Sequence, residues 1–177
     1  MTKNLFLTGK PASGKTTLIR EVTLPRRQHL GGFYTEEIKE GNERRGFLLK
    51  AFDGREGILA QKGMQSALKL NKYGIDRNVL EGIGIAALRD AMKSKEIIVI
   101  DEIGSMEVLS DLFRQQLLEC LNSPKHVLAT VRFNAQPFTD EIKKMTDTRL
   151  VYLSRGNAAA VKEEVVNWMD SILWKRK

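Results

Sequence analysis

Cysteine is nearly absent: Cys120 is the only one in 177 residues. An intramolecular disulfide and a cysteine-built zinc site are both excluded. Histidine is almost as scarce. His29 and His126 stand far apart without metal-ligand spacing, which leaves them to structure or surface. No apolar run approaches the roughly 18 residues that a membrane span needs. Met1-Thr2-Lys3 leads straight into a short apolar stretch without a small-residue cleavage site, so no secretory leader is expected and a cytoplasmic location is. Internal repeats, low-complexity tracts and linkers are also missing, which predicts one domain over residues 1–177. No stretch carries the signature of an RRM, a KH domain or a zinc knuckle.

What remains is ordinary in bulk and uneven in charge. Apolar residues make up 42% and charged residues 29%, close to soluble globular averages and unlike a disordered tail or a coiled coil. The length suffices to bury a core without staples. The net charge is +7, and residues 1–50 hold ten Lys/Arg against five acids. Residues 101–150 hold six against eight. A basic first segment suits a nucleic acid or a polyphosphate, and equally a generic basic surface; charge alone does not choose.

Asn4-Leu5-Phe6-Leu7 reads as a buried strand ending in Thr8-Gly9. Lys15 to Thr23 sets Leu18, Ile19 and Val22 on one helical face, and Pro25 stops it. Residues 33–60 alternate β-rich runs with the turn clusters Glu40-Gly41-Asn42-Glu43 and Asp53-Gly54, which predicts a small antiparallel meander. It could be a lid or an elaborated sheet edge. Asp76 is placed to cap a helix reaching Gly82, and Ile85 to Lys93 reads as another. Ile97-Ile98-Val99-Ile100 is an unbroken β-branched run, as in a strand covered on both faces. Ser110 to Asn122 carries Leu at helical spacing and ends before Pro124. His126 to Val131 and Arg149 to Leu153 read as further buried strands. Asn157 fits as the N-cap of a last helix with Val161, Val165, Trp168, Ile172 and Leu173 inward, and Lys175-Arg176-Lys177 suits its C-terminal dipole. The expectation is an α/β, three-layer protein with a mostly parallel sheet flanked by helices.

Gly9-Lys10-Pro11-Ala12-Ser13-Gly14-Lys15-Thr16 matches G-x-x-x-x-G-K-[ST] at every fixed position, between a strand and a helix. A triphosphate needs many donors at short range. Backbone N–H groups supply them if the chain wraps closely, which calls for glycine at Gly9 and Gly14. The helix start near Lys15 adds unpaired N–H groups and its dipole. Lys15 brings a point charge to the β- and γ-phosphates, and Thr16 a hydroxyl for Mg²⁺. Asp101-Glu102 closes the β-branched run. An acid at a buried strand tip can hold Mg²⁺ opposite Thr16, and a second carboxylate can polarise the attacking water. Alone, such a run would be a strand leading into a solvated loop; the loop motif upstream gives it meaning.

Glu102 directly after Asp101 fits the P-loop group that activates water with glutamate and has an extra strand between the two motif strands. Asp101-Glu102-Ile103-Gly104 also fits the D-x-x-G of a switch GTPase. Such a protein would carry N-K-x-D further on, whereas Asn71-Lys72-Tyr73-Gly74 comes too early and lacks the Asp. Thr130 is a candidate polar sensor for the γ-phosphate. Arg26, Arg27, Arg132 and Arg155 are the candidates for transition-state charge. Trp168 and Cys120 read as core, and Trp174 as partly exposed.

Leu7-Thr8-Gly9, Gly14 to Thr17, Gly32 to Glu37, Arg45-Gly46-Phe47, Lys72 to Asp76 and Ile100 to Glu107 together resemble the family of nucleoside-triphosphatases first described in thermophiles. The resemblance covers nearly the whole chain. It implies a RecA-like P-loop domain that hydrolyses ATP, GTP, CTP and UTP to NDP and phosphate with Mg²⁺, slowly and with broad base tolerance. It puts nucleotide contacts on Gly9, Lys10, Pro11, Ala12, Ser13, Gly14, Lys15, Thr16 and Thr17, and on Asp101, Glu102, Ile103, Gly104, Ser105 and Met106. Lys15 and Glu102 would be catalytic, with Thr16 and Asp101 the metal ligands. One departure stands out: where relatives commonly carry Asn-Arg before the last helix, this chain reads Arg155-Gly156-Asn157-Ala158. The alternatives are a small nucleoside or nucleotide kinase, weakened by a single arginine in Arg132 to Pro137, and an NTP-dependent RNA-binding module. A monomer is expected, because no long exposed apolar face stands out.

Overall fold

The computed structural model describes residues 2–174. Lys175-Arg176-Lys177, read above as suiting a helix dipole, lie outside the described residues. Among the described residues nine strands form one sheet: β1 (Asn4–Thr8), β2 (Leu30–Glu40), β3 (Glu43–Ala51), β4 (Glu56–Lys62), β5 (Lys69–Leu70), β6 (Tyr73–Ile75), β7 (Ile97–Ile103), β8 (His126–Val131) and β9 (Thr148–Tyr152). Their order across the sheet is β5-β6-β4-β3-β2-β7-β8-β1-β9. From β2 to β9 the neighbours run parallel; from β2 to β5 they run antiparallel. β2 belongs to both halves. Leu30–Phe33 pairs with Ile97–Ile100 of β7, and Phe33–Glu40 pairs with β3.

The helices are α1 (Lys15–Thr23), α2 (Arg77–Val79), α3 (Ala86–Ser94), α4 (Asp111–Asn122), α5 (Pro137–Lys143) and α6 (Ala158–Leu173). They make the outer layers because the parallel strands are apolar on both sides. In β7, Ile97 and Val99 pack with α1 and α6 through Leu18, Ile19, Val165 and Met169. Ile98 and Ile100 pack the other way with Leu88, Phe113 and Leu117 of α3 and α4. The unbroken β-branched run is therefore a strand covered on both faces. Among the described residues no helix is long and apolar enough to cross a membrane.

The structure departs from the sequence expectation in several places. The antiparallel part extends the sheet edge and is larger than residues 33–60, since β6 adds to β4 and β5 to β6. Asp76 does cap a helix, its carboxylate accepting from the Asn78 and Val79 amides. That helix does not stop at Gly82; a π-helical turn over Leu80–Ile85 carries it into α3. Gly82 and Gly84 read as a break because glycine is a poor helix former, but Leu80 and Ile85 are buried and hold the turn. β9 is an edge strand, not a buried one, with Leu150 and Tyr152 exposed. Asn157 does not cap α6 through its side chain. Ser154 and Asn157 instead form a capping box around the short 3₁₀ turn Arg155–Asn157 that precedes it. Helix α5 had no strong apolar period to announce it, and starts on Pro137 with Gln136 as its cap.

Candidate functional site

β1 delivers the chain to the loop Gly9–Thr16 at the carboxyl edge of the parallel strands. The Leu153 amide donates to Thr8 O at 2.7 Å, which draws the segment after β9 against the loop. Gly9 is needed for that approach, since a Cβ there would lie 2.3 Å from Leu153 O. Gly14 is needed for another reason. It caps α1 at φ +93°, a left-handed conformation, and Ala12 shares that region at φ 61°. The Ser13 amide bonds to Lys10 O at 3.2 Å, and the Leu18 amide to Gly14 O at 2.9 Å, so the loop turns directly into the helix. No side chain caps α1 and its first turn holds no acid, which leaves its N–H groups and dipole directed at the loop. Lys15 folds back over the loop, its Nζ donating to Gly9 O at 2.9 Å and Lys10 O at 3.2 Å. Lys10, Pro11, Ala12, Gly14 and Thr17 are exposed. The hydroxyl oxygen of Ser13 is buried without a hydrogen-bond partner among the described residues.

β8 lies between β1 and β7, so the loop and the acids stand on strands two places apart. This is the extra strand expected from Glu102. Asp101 is wholly buried. Its Oδ1 accepts from Thr16 Oγ1 at 3.2 Å and from Thr130 Oγ1 at 2.5 Å, joining α1, β8 and β7 at one carboxylate. Its Oδ2 is buried and finds no side-chain hydrogen-bond partner among the described residues. Burial lifts the Asp101 pKa to about 6, helped by the Glu102 charge and opposed by the Thr130 and Thr16 hydroxyls and the Thr35 backbone amide. Glu102, on the next residue, is half-buried. Burial raises its pKa too, and the charges of Lys15, Arg132 and Arg44 oppose that rise.

The four residues after Glu102 divide. Ile103 is core and Met106 packs beside it. Gly104 lies under Glu102, and a Cβ there would sit 2.6 Å from Glu102 Oε1. Ser105 Oγ accepts from Arg132 Nη1 at 2.6 Å, and the Arg132 amide donates to Ile103 O at 3.2 Å. Of the four candidate arginines, Arg132 is the one brought beside Glu102. Arg26 is paired with Asp170 at 3.0 Å. Arg27 borders a cleft with Tyr34, Lys50 and Phe52 beyond the end of α1. Arg155 is exposed on the turn before α6.

Two residues escaped the sequence reading. Arg44, on β3, acts on Glu102 from the antiparallel half and pairs with Glu37. Nothing local marks it among the many basic residues of that segment. Glu107 is buried, accepts the Gly104 amide on Oε2 at 3.1 Å, and is pushed up to about 8 by burial and by the Glu102 charge. Its signal was present: it is the third acid within seven residues that hold no basic residue.

The donor set suits a hard divalent cation. A hydroxyl and a carboxylate face each other, and one carboxylate oxygen is buried with no side-chain partner among the described residues. Among the described residues no group of three His, Cys, Asp or Glu could hold a metal ion, so a cation here would take its other ligands from phosphate and water.

The chain is similar to known proteins over most of its length. A family described as NTPase matches residues 4–166. The nucleoside-triphosphatase THEP1 of Thermotoga maritima is 39% identical over 163 residues, covering 92% of this chain and 93% of that protein. The human cancer-related nucleoside-triphosphatase is 30% identical over 187 residues, covering 97% and 98%. The crystal structure of THEP1 from Aquifex aeolicus superposes with a TM-score of 0.84 at 29% identity, covering 94% of this chain and 99% of that one. With the loop motif, the strand between the motif strands and a family match over residues 4–166, this chain belongs to the NTPase family, the group of the THEP1 and cancer-related nucleoside-triphosphatases.

Proposed function

We propose that the protein is a Mg²⁺-dependent nucleoside-triphosphatase that cleaves the β–γ phosphoanhydride of NTPs of any base, as a cytoplasmic monomer. The observation that carries this reading is the junction at Asp101, where the loop's Thr16 and the sensor position Thr130 meet the acid pair. The names of the relatives support the reaction class.

Each residue then has a task. The loop amides of Gly9–Thr16 and the α1 dipole hold the phosphates. Lys15 leaves the Gly9 and Lys10 carbonyls for the β- and γ-phosphate oxygens. Thr16 and Asp101 would hold Mg²⁺, which when bound offsets phosphate charge and fixes its orientation. A Glu102 carboxylate oxygen takes a proton as water oxygen bonds to the γ-phosphorus and the bond from that phosphorus to the β–γ bridging oxygen breaks. Arg132 supplies charge to the γ-phosphate oxygens. With recognition invested in phosphate and no base-reading motif, all four NTPs are substrates.

Phosphate release with Mg²⁺ from ATP, GTP, CTP and UTP tests this directly. All four are expected to be hydrolysed without an acceptor. Glu102→Gln is expected to lose about 10²–10⁴-fold in kcat, the usual range for a general base, while still binding nucleotide. Tight ATP binding by the wild type with no phosphate release would sink the reading.

A further inference from the structure

We propose that Phe133 and Tyr152 form an aromatic platform on which the nucleobase stacks, so that bases are held by ring face and not by edge. The proposal rests on the nucleotide reading above. Of three exposed aromatic side chains among the described residues, Phe133, Tyr152 and Trp174, two touch each other. The Phe133 and Tyr152 rings stand 5.8 Å apart at 62°, edge to face, yet are 41% and 44% exposed. In such a pair the ring presenting its edge keeps both faces uncovered by its partner.

Their position gives the pair a ligand. β8 and β9 flank β1, with Leu7 beside Thr130 and Thr8 beside Tyr152. The pair therefore bridges the end of β1, where the chain enters the phosphate loop. Arg132 and Phe133 are consecutive and diverge. The arginine turns toward β7 and Ser105, and the phenylalanine toward β9 and Tyr152. The γ-phosphate end of the substrate belongs on the β7 side with Asp101 and Glu102. The rest of the nucleotide must leave along the sheet edge the other way, past β1 toward β9. A flat apolar group arriving there meets the ring pair and Leu150, itself 44% exposed on the same strand two residues before Tyr152. Stacking accepts any base, because every base has a π-face. That supplies affinity without discrimination, which a chain lacking a base-reading motif needs.

The test compares ATP with inorganic tripolyphosphate, which has no base, and uses 2-aminopurine riboside triphosphate as a fluorescent probe. Phe133→Ala and Tyr152→Ala are each expected to weaken ATP by about tenfold, within the range of one stacked base. Tripolyphosphate should shift by about twofold at most. The wild type should quench 2-aminopurine, and a Phe133→Leu/Tyr152→Leu double variant, which keeps apolar bulk at these exposed positions, should lose the quench. Equal losses for ATP and tripolyphosphate, an unquenched probe on the wild type, or variants that alter only the oligomeric state would overturn the platform; the last would make β9 a contact between copies. A wild type that quenches the probe yet releases no phosphate overturns the hydrolysis reading and leaves the platform standing.

Discussion

Gly104 measures how little room Glu102 has. A methyl group there would meet Glu102 Oε1 at 2.6 Å, and that atom is the mobile end of a side chain. Gly104→Ala should therefore displace the acid more than it strains the backbone. We expect a fall in kcat of about tenfold or more with a melting temperature near that of the wild type, read by phosphate release beside thermal unfolding. Gly9→Ala makes the opposite case, because its neighbour is the fixed carbonyl of Leu153. At this scale the sequence was most legible where chemistry fixes residue type and spacing. Gly9, Gly14, Lys15, Thr16, Asp101 and Glu102 can be picked out from letters alone. Arg44 cannot, because its meaning comes from strands brought together by pairing. Nor can Arg132 be separated from Arg26 until Asp170 is seen to occupy the latter.

Among the elements, legibility followed burial. β1, β7 and β8 announce themselves as continuous apolar runs because both faces are covered. β5 and β6 span only Lys69–Leu70 and Tyr73–Ile75, too short for any period to form, and α5 is a seven-residue helix. α6 does begin after Asn157, as that residue type predicts, but the Asn157 side chain answers Ser154 and does not cap the helix. The Ser154 amide donates to Asn157 Oδ1 at 2.8 Å, and Asn157 Nδ2 donates to Tyr152 O at 2.9 Å. Ser154→Ala removes half of that box. It should cost about 1 kcal/mol of stability by urea unfolding, the usual value of an N-cap. Since the same segment leans on Gly9 through Leu153, nucleotide affinity should fall with it.

The whole molecule carries three acids close together at one end of β7, and their burial gives it a pH dependence. Glu107 titrates near 4.5 in an unfolded chain and at about 8 in the folded one. Between those values the folded state binds the extra proton, so stability is highest at the acid side of the window and is lost as pH rises through about 8. The nucleotide-free protein should melt at progressively lower temperature from about pH 5 to about pH 8. Glu107→Gln, which can still accept the Gly104 amide and cannot ionise, should flatten that slope and raise the melting temperature at the alkaline end. The layered α/β plan was readable from alternating strands and helices. The size of the antiparallel half was not, because β5 and β6 at its edge are too short to show a period. The two halves are spliced at β2, which serves both in one uninterrupted run. That splice has a practical side for anyone redesigning the protein. Trimming it to its five parallel strands would mean cutting inside β2 at Phe33. The stub of four residues would be all that shielded the row of amides and carbonyls along β7, and a bare central strand is a template for aggregation.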